Sequence, residues 1–230
     1  MTNEEVFNIE GKLNDLINII KKLESANETN GGEEYYAIPS LLANVKFDLA
    51  NTVSKHPVYE CFLKHVKGID LITAGYILGS INFSKVENIW QIFSYCGIIN
   101  TNRKHNVFLY KKLLNASKYM INKYSPYAIY YYQNLKICNF KSEDENNSDF
   151  IYKSKISMVS MLLCDTYEVY NRIVLQKEID SINYMDKTRL FDYRDYVFDS
   201  SEVDVFQSSK YLKKIKKIEK RMDKRIHNIE

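Results

Sequence analysis

The chain has 230 residues and a mass of 27.1 kDa, enough for one large domain or two small ones with a buried core. Its hydrophobic fraction of 45% is ordinary for a globular protein, and the scarcity of glycine (seven residues) and proline (three) favours long helices over a turn-rich β fold. No stretch reaches the roughly 18 apolar residues of a membrane span, and the acidic N-terminus lacks an apolar signal core. We therefore expect an all-α, soluble, intracellular protein with neither a membrane partner nor a small-molecule substrate.

The net charge of +3 conceals a strong segregation of charge along the sequence. Residues 1–60 carry ten acidic and five basic side chains, whereas residues 61–140 carry two acidic and ten basic ones. Residues 141–206 are acidic again, and residues 207–230 hold nine basic side chains against three acidic ones. Two basic blocks indicate a polyanionic partner, and we expect nucleic acid; DNA is expected over RNA only from the resemblance described below.

Residues 1–26 are predicted to form an amphipathic helix. Apolar side chains recur there at three- and four-residue spacing from Val6 to Leu23. The same regular stripe is compatible with one strand of a coiled coil, and hence with a homo-oligomer.

A helical domain is predicted over residues 37–176. Its helices are expected over about 39–54, 59–66, 71–80, 85–96, 107–124, 126–136 and 150–176. Ser84 is expected to cap the fourth of these helices, and Gly97 to end it. Residues 177–206, acidic and aromatic, are expected to form a wrap or linker, and residues 207–230 a basic amphipathic helix.

Glycine is concentrated in one segment. Four of the seven glycines lie between Gly68 and Gly97, and the first belongs to an apolar turn, Val66–Asp70, between two predicted short helices. Small residues stud the second helix, which is typical of a helix-hairpin-helix, here over residues 59–81. In such a unit the N–H groups and dipole at the start of the second helix hold a phosphate oxygen, and glycine lets the DNA backbone approach without a Cβ clash.

Asp70 departs from this pattern, because a second glycine is usual at its position. Aspartate tolerates turn conformations and caps helices, so the hairpin is compatible with it. A carboxylate close to a phosphate is unfavourable, however. A purely structural turn, in which Asp70 only caps a helix, is therefore the alternative interpretation.

The candidate nucleic-acid-binding residues fall into three groups. They belong to the hairpin turn with its flanking lysines, to the basic loop and helix that follow, and to the C-terminal helix: Lys64, Lys67, Gly68, Ile69, Asp70, Leu71, Arg103, Lys104, Lys111, Lys112, Lys213 and Lys217. For the second group, a solvated loop and helix face is the alternative interpretation. The tyrosines between Tyr124 and Tyr132 are compatible with base stacking, but such residues more often pack a helix.

Neither a metal nor a cofactor is expected. The cysteines are dispersed without a C-x-x-C pair, at Cys61, Cys96, Cys138 and Cys164. The four histidines likewise lack the spacing of metal ligands. We predict free, buried thiols.

A KGI-containing hairpin followed by Phe83, Trp90 and Gly97, and later by Ser125-Pro126-Tyr127, is the pattern of one known family. Over about Pro57–Tyr170 the chain resembles the C-terminal helical domain of insertion-sequence transposases of the Piv/MooV type, the bridge-RNA-guided recombinases. The resemblance implies a helical DNA-binding domain derived from a mobile element and concerned with DNA recombination.

The catalytic parts of that family have no counterpart in this sequence. Its RuvC-like domain supplies metal-binding carboxylates, whereas residues 1–56 have room for only two helices. Its nucleophilic Ser-Gly step follows the segment matching Gly97, where this chain has Thr101 as the only hydroxyl before Ser117. Because the family's reaction needs both the nucleophile and the metal, we expect no enzymatic activity.

The leading hypothesis is thus a non-catalytic, weakly sequence-specific DNA-binding protein related to insertion-sequence transposases. The alternative is a helical interaction or structural protein that self-associates through its terminal helices, with the hairpin kept only for packing. A third hypothesis is a DNA-processing enzyme that uses the catalytic domain of a partner.

Overall fold

The computed structural model describes residues 1–29, 37–99, 104–128, 130–131 and 147–177. These residues form helices joined by turns, and no strand occurs among them, which confirms the predicted all-α class. Several predictions lie outside the described residues: the linker beyond Lys177, the C-terminal helix with Lys213 and Lys217, the side chains of Arg103 and Cys138, and most of the helix over 126–136.

The helices follow one another with short connections. In chain order they are α1 (Asn3–Thr29), α2 (Ala37–Val53), α3 (Pro57–Cys61), α4 (Leu71–Ser80), α5 (Ile89–Tyr95), α6 (Val107–Asn122) and α7 (Asn147–Ile173). Single 3-10 turns lie at Leu63–His65 and Phe83–Lys85.

Helix α4 lies at the centre of the described fold, in contact with α1, α2 and α6. Two glycines let the neighbouring helices approach it closely. A Cβ added to Gly79 would lie 2.6 Å from Ile17 Cδ1 and 2.9 Å from the carbonyl carbon of Leu13, both in α1. A Cβ added to Gly75 would lie 2.9 Å from Leu49 Cγ in α2. The small residues seen in the sequence therefore serve helix–helix packing.

The apolar stripe of α1 is covered by its own chain. Val6, Leu13, Ile17 and Ile20 are buried, and α1 packs on α2 and α4. The interpretation of this stripe as a coiled-coil strand is therefore corrected, because the glycine-bearing face of α4 takes the position that a second strand would need. An amphipathic pattern alone does not distinguish these two partners.

Several predicted helix ends differ from the structure, and three of these differences affect the segments around the turn and α6. The helix expected over 59–66 ends at Cys61, because Phe62 leaves helical geometry (φ −136°, ψ −70°) and a 3-10 turn follows. Ser84 caps no α-helix, since Asn88 accepts the N–H of Gln91 (3.2 Å) and thereby caps α5. Helix α6 ends at Asn122 instead of Tyr124.

Helix α7 closes the other side of the core, in contact with α3, α5 and α6. Its side chains are so deeply buried that even two carboxyl-bearing residues, Asp165 and Glu168, are almost fully shielded from solvent. Asp165 accepts a hydrogen bond from the Tyr127 hydroxyl (2.5 Å), and Glu168 is paired with Arg172 (2.8 Å). Both buried carboxyl groups thus have partners for their oxygens, as burial requires.

We predict opposite effects for two glycine-to-alanine substitutions. Gly79→Ala places a methyl group against the backbone of α1, and should lower the free energy of unfolding by about 1–3 kcal/mol. Gly11→Ala, in α1, meets no atom within 4 Å and should raise the free energy of unfolding by up to about 1 kcal/mol, because alanine is the better helix former. Urea unfolding followed by circular dichroism measures both changes, and equal effects would contradict the α1–α4 contact.

Candidate nucleic-acid interface

The turn over Val66–Asp70, which the sequence predicted to be the turn of a hairpin, is held in one conformation by its own residues. Val66 and Ile69 are buried, and the N–H of Ile69 donates to the carbonyl oxygen of Val66 (3.0 Å). Gly68 has a positive φ of 90°. Asp70 Oδ1 accepts the N–H of Thr73 (2.7 Å), so the predicted cap and the predicted start of α4 at Leu71 are both confirmed.

Gly68 also lies directly against α6. A Cβ at this position would be 2.6 Å from both the Cα and the backbone nitrogen of Met120. The expected role of Gly68, admitting a DNA backbone, is therefore corrected, because α6 already fills the space that a side chain would need. Glycine is required here by the contact between turn and helix, and by the positive φ.

This contact creates a groove between the turn and the C-terminal end of α6. The groove is open to solvent, has a volume of about 400 Å³, and is lined by Lys67, Gly68, Ile69, Asp70, Tyr119 and Lys123. Its lining thus combines two lysines and one aspartate with a tyrosine and the apolar residues of the turn. We call it the turn–α6 groove.

The exposed face of α6 extends the basic surface away from the groove. Lys111 and Lys118 are exposed and seven residues apart, which places them on the same side of the helix. Neither they nor Lys123 form an ion pair with any residue that the structure describes, and α6 contains no acidic residue. Lys118, Tyr119 and Lys123 were missed in the sequence, although the absence of acidic residues from α6 was a visible signal.

The remaining described residues of the first two predicted groups are Lys64, Leu71 and Lys104, and they lie in three different segments. Lys64 is exposed and forms an ion pair with Glu60 (3.0 Å). Leu71 is the first residue of α4 and is partly buried, and Lys104 is exposed in the segment that precedes α6. None of these three residues lines the turn–α6 groove.

Lys112 has a different environment from its neighbour Lys111. Its ammonium group donates to both carboxylate oxygens of Glu24 (3.0 and 2.9 Å) and lies over the rings of Phe108 (4.8 Å) and Tyr76 (5.0 Å). Lys46 shares the same carboxylate at 3.3 Å. Lys112 thus joins α6 to α1 and α4, and its ammonium group is already bound within the chain.

The described residues provide neither a low-pKa thiol at Cys61 or Cys96, nor a cluster of metal ligands, nor a membrane-spanning helix. Burial raises the pKa of Cys61 to about 11 and that of Cys96 to about 12, so both thiols stay protonated at neutral pH. The part of the chain that the structure describes contains no group of three or more His, Cys, Asp or Glu side chains arranged to hold a metal. Within it, no helix is both long enough and apolar enough to cross a membrane.

Comparison with known proteins gives no match to a family model, to a curated protein or to a solved structure.

Two adjacent lysines of α6 should behave differently when replaced. Lys112→Ala leaves Glu24 with one fewer partner and removes the contact with two rings, so we expect the free energy of unfolding to fall by about 1–3 kcal/mol. Lys111→Ala, exposed and outside any ion pair with the described residues, should change it by less than about 0.5 kcal/mol. Chemical denaturation of both variants checks this, and equal stability would contradict the environment assigned to Lys112.

Proposed function

We propose that this chain is a non-catalytic protein that binds nucleic acid through the hairpin turn and the exposed face of α6. The observation that carries the proposal is the position of Lys67 and Lys123, from two different elements, in one groove, together with the exposed lysines of α6, the helix that forms one of its walls. A basic surface built from several elements, on a chain of low net charge, is typical of polyanion binding.

The start of α4 adds hydrogen-bond donors to this surface. The first N–H groups of a helix have no acceptor within the helix, and Asp70 satisfies only that of Thr73. The N–H groups of Leu71 and Ile72 can therefore donate to a ligand beside Lys67. Contacts of this kind act on phosphates, so binding should weaken with salt and depend little on sequence.

The resemblance to insertion-sequence transposases favours DNA as the partner and a role connected with recombination. It also favours an inactive chain. Residues 3–29 and 37–53 form only α1 and α2, which in the resemblance correspond to the family's connecting coiled coil and not to its catalytic domain, and the loop after Gly97 holds no serine. Strand cleavage would need a nucleophile and a metal site from another protein.

The alternative, self-association through the terminal helices, has less to support it. The apolar stripe of α1 is used within the chain, which leaves the C-terminal helix, outside the described residues, as its basis. Deletion of α1 would disturb the core of the chain as well as any assembly, so it cannot serve as a selective test.

A charge-matched pair of triple variants tests the proposal. Replacing Lys111, Lys118 and Lys123 with alanine should weaken binding to DNA at low salt by at least about 10-fold. It should also reduce the slope of log K against log salt by about one for each phosphate that the variant no longer neutralises. The control replaces Lys12, Lys22 and Lys55, which are exposed in the acidic part of the chain, and changes the net charge equally. Fluorescence anisotropy over a salt series measures both slopes.

Two results would contradict the proposal. If the two triple variants weaken binding to the same extent, the effect comes from net charge and not from a site on α6. If the unaltered protein binds neither duplex nor single-stranded DNA at low salt, nucleic-acid binding itself is wrong.

A further inference from the structure

Asp70 is out of place in a groove that binds only phosphate. Asp70 is exposed and lines the turn–α6 groove together with Lys67 and Lys123. Oδ1 accepts the N–H of Thr73, whereas Oδ2 has no hydrogen-bond partner among the described residues. An ionised carboxylate only accepts hydrogen bonds, so Oδ2 repels phosphate but favours a ligand that brings an N–H donor.

Tyr119 supplies the second observation. Its side chain is 61% exposed on the wall of the same groove and makes no ring contact with another described residue. An exposed aromatic ring beside lysines is the usual platform for a nucleobase, and it can stack only on a base that is not paired within a duplex.

The dimensions of the groove agree with a ligand of this kind. A volume of about 400 Å³ falls in the range of roughly 300–1,000 Å³ that holds a small organic ligand. This volume is of the order of one nucleotide and is far too small to enclose a duplex. The apolar part of the groove would meet the base, and Lys67 and Lys123 its phosphates.

We propose that the turn–α6 groove is a nucleobase pocket for single-stranded nucleic acid. Tyr119 stacks on one unpaired base, Asp70 Oδ2 accepts a hydrogen bond from the amino group of that base, and Lys67 and Lys123 bind the adjoining phosphates. This inference rests on the proposed nucleic-acid binding and adds to it the form of the ligand and a preference for amino-bearing bases.

The substitution Asp70→Asn separates this inference from simple phosphate binding. Asparagine is an equally good N-cap, so α4 should keep its start. Its carbonyl oxygen must then accept the Thr73 N–H, which turns the NH₂ group, a donor, toward the position of Oδ2. A base with an amino group thereby loses its acceptor, while a phosphate loses a repulsive charge.

The experiment compares oligo-dC with oligo-dT, each of about 15 nucleotides, because cytosine carries an amino group where thymine has none. Binding of each oligomer, and of a duplex of the same length, is measured by fluorescence anisotropy at neutral pH. The proteins are the unaltered chain, Asp70→Asn, Tyr119→Ala and Tyr119→Phe. Circular dichroism and thermal unfolding verify that each variant is folded.

We expect the unaltered chain to bind oligo-dC at least about 5-fold more tightly than oligo-dT, and Asp70→Asn to bring this ratio close to one. Tyr119→Ala should weaken single-strand binding by about 5-fold or more with little change for the duplex, while Tyr119→Phe should retain it. The inference is overturned if Asp70→Asn tightens binding to both oligomers equally, or if Tyr119→Ala leaves single-strand binding unchanged.

The failure of the inference can be distinguished from the failure of the proposed function. If the unaltered chain binds DNA and the triple lysine variant of α6 binds it weakly, but the Asp70 and Tyr119 variants behave as the unaltered chain, the basic surface stands and the nucleobase pocket does not. If the unaltered chain binds none of the three nucleic acids, both are wrong.

Discussion

The contact between the turn that precedes α4 and the backbone of α6 determines the candidate site. Gly68 combines a φ of 90° with a separation that leaves no room for a Cβ beside Met120. Only glycine meets both conditions without strain. Because the turn is held there, Lys67 and Asp70 line one groove with side chains from the end of α6. Gly68 thus contributes to the candidate site by allowing the turn to pack against α6.

The lysines of α6 illustrate how burial divides one basic segment into two roles. A single step along the helix separates Lys111, which is exposed, from Lys112, which is bound to Glu24 and covered by two aromatic rings. A side chain already paired at 2.9 Å would have to give up that partner to reach a phosphate. Fewer lysines are therefore available to a ligand than the ten basic side chains of residues 61–140 suggest.

Local signals predicted much of the fold, and long-range packing explains the rest. The start of α4, its cap at Asp70 and the stripe of α1 depend on neighbouring residues, and all three were predicted correctly. The partner of Lys112 is 88 positions away, so no local pattern indicates it. The exposure of the tyrosines was equally unpredictable from local sequence. Tyr127 and Tyr131 are buried whereas Tyr119 is exposed, because tertiary packing determines their surroundings.

The location of the bound ligand is the most direct test of the central claim. We would record amide ¹H–¹⁵N spectra of the whole chain during titration with single-stranded DNA and with a duplex. The assignment predicts the largest shifts at residues 67–72 and 118–123, with those of the exposed face of α6 next. Shifts confined to α1 and α2, or to segments remote from the groove, would contradict the assignment of this surface as the binding site.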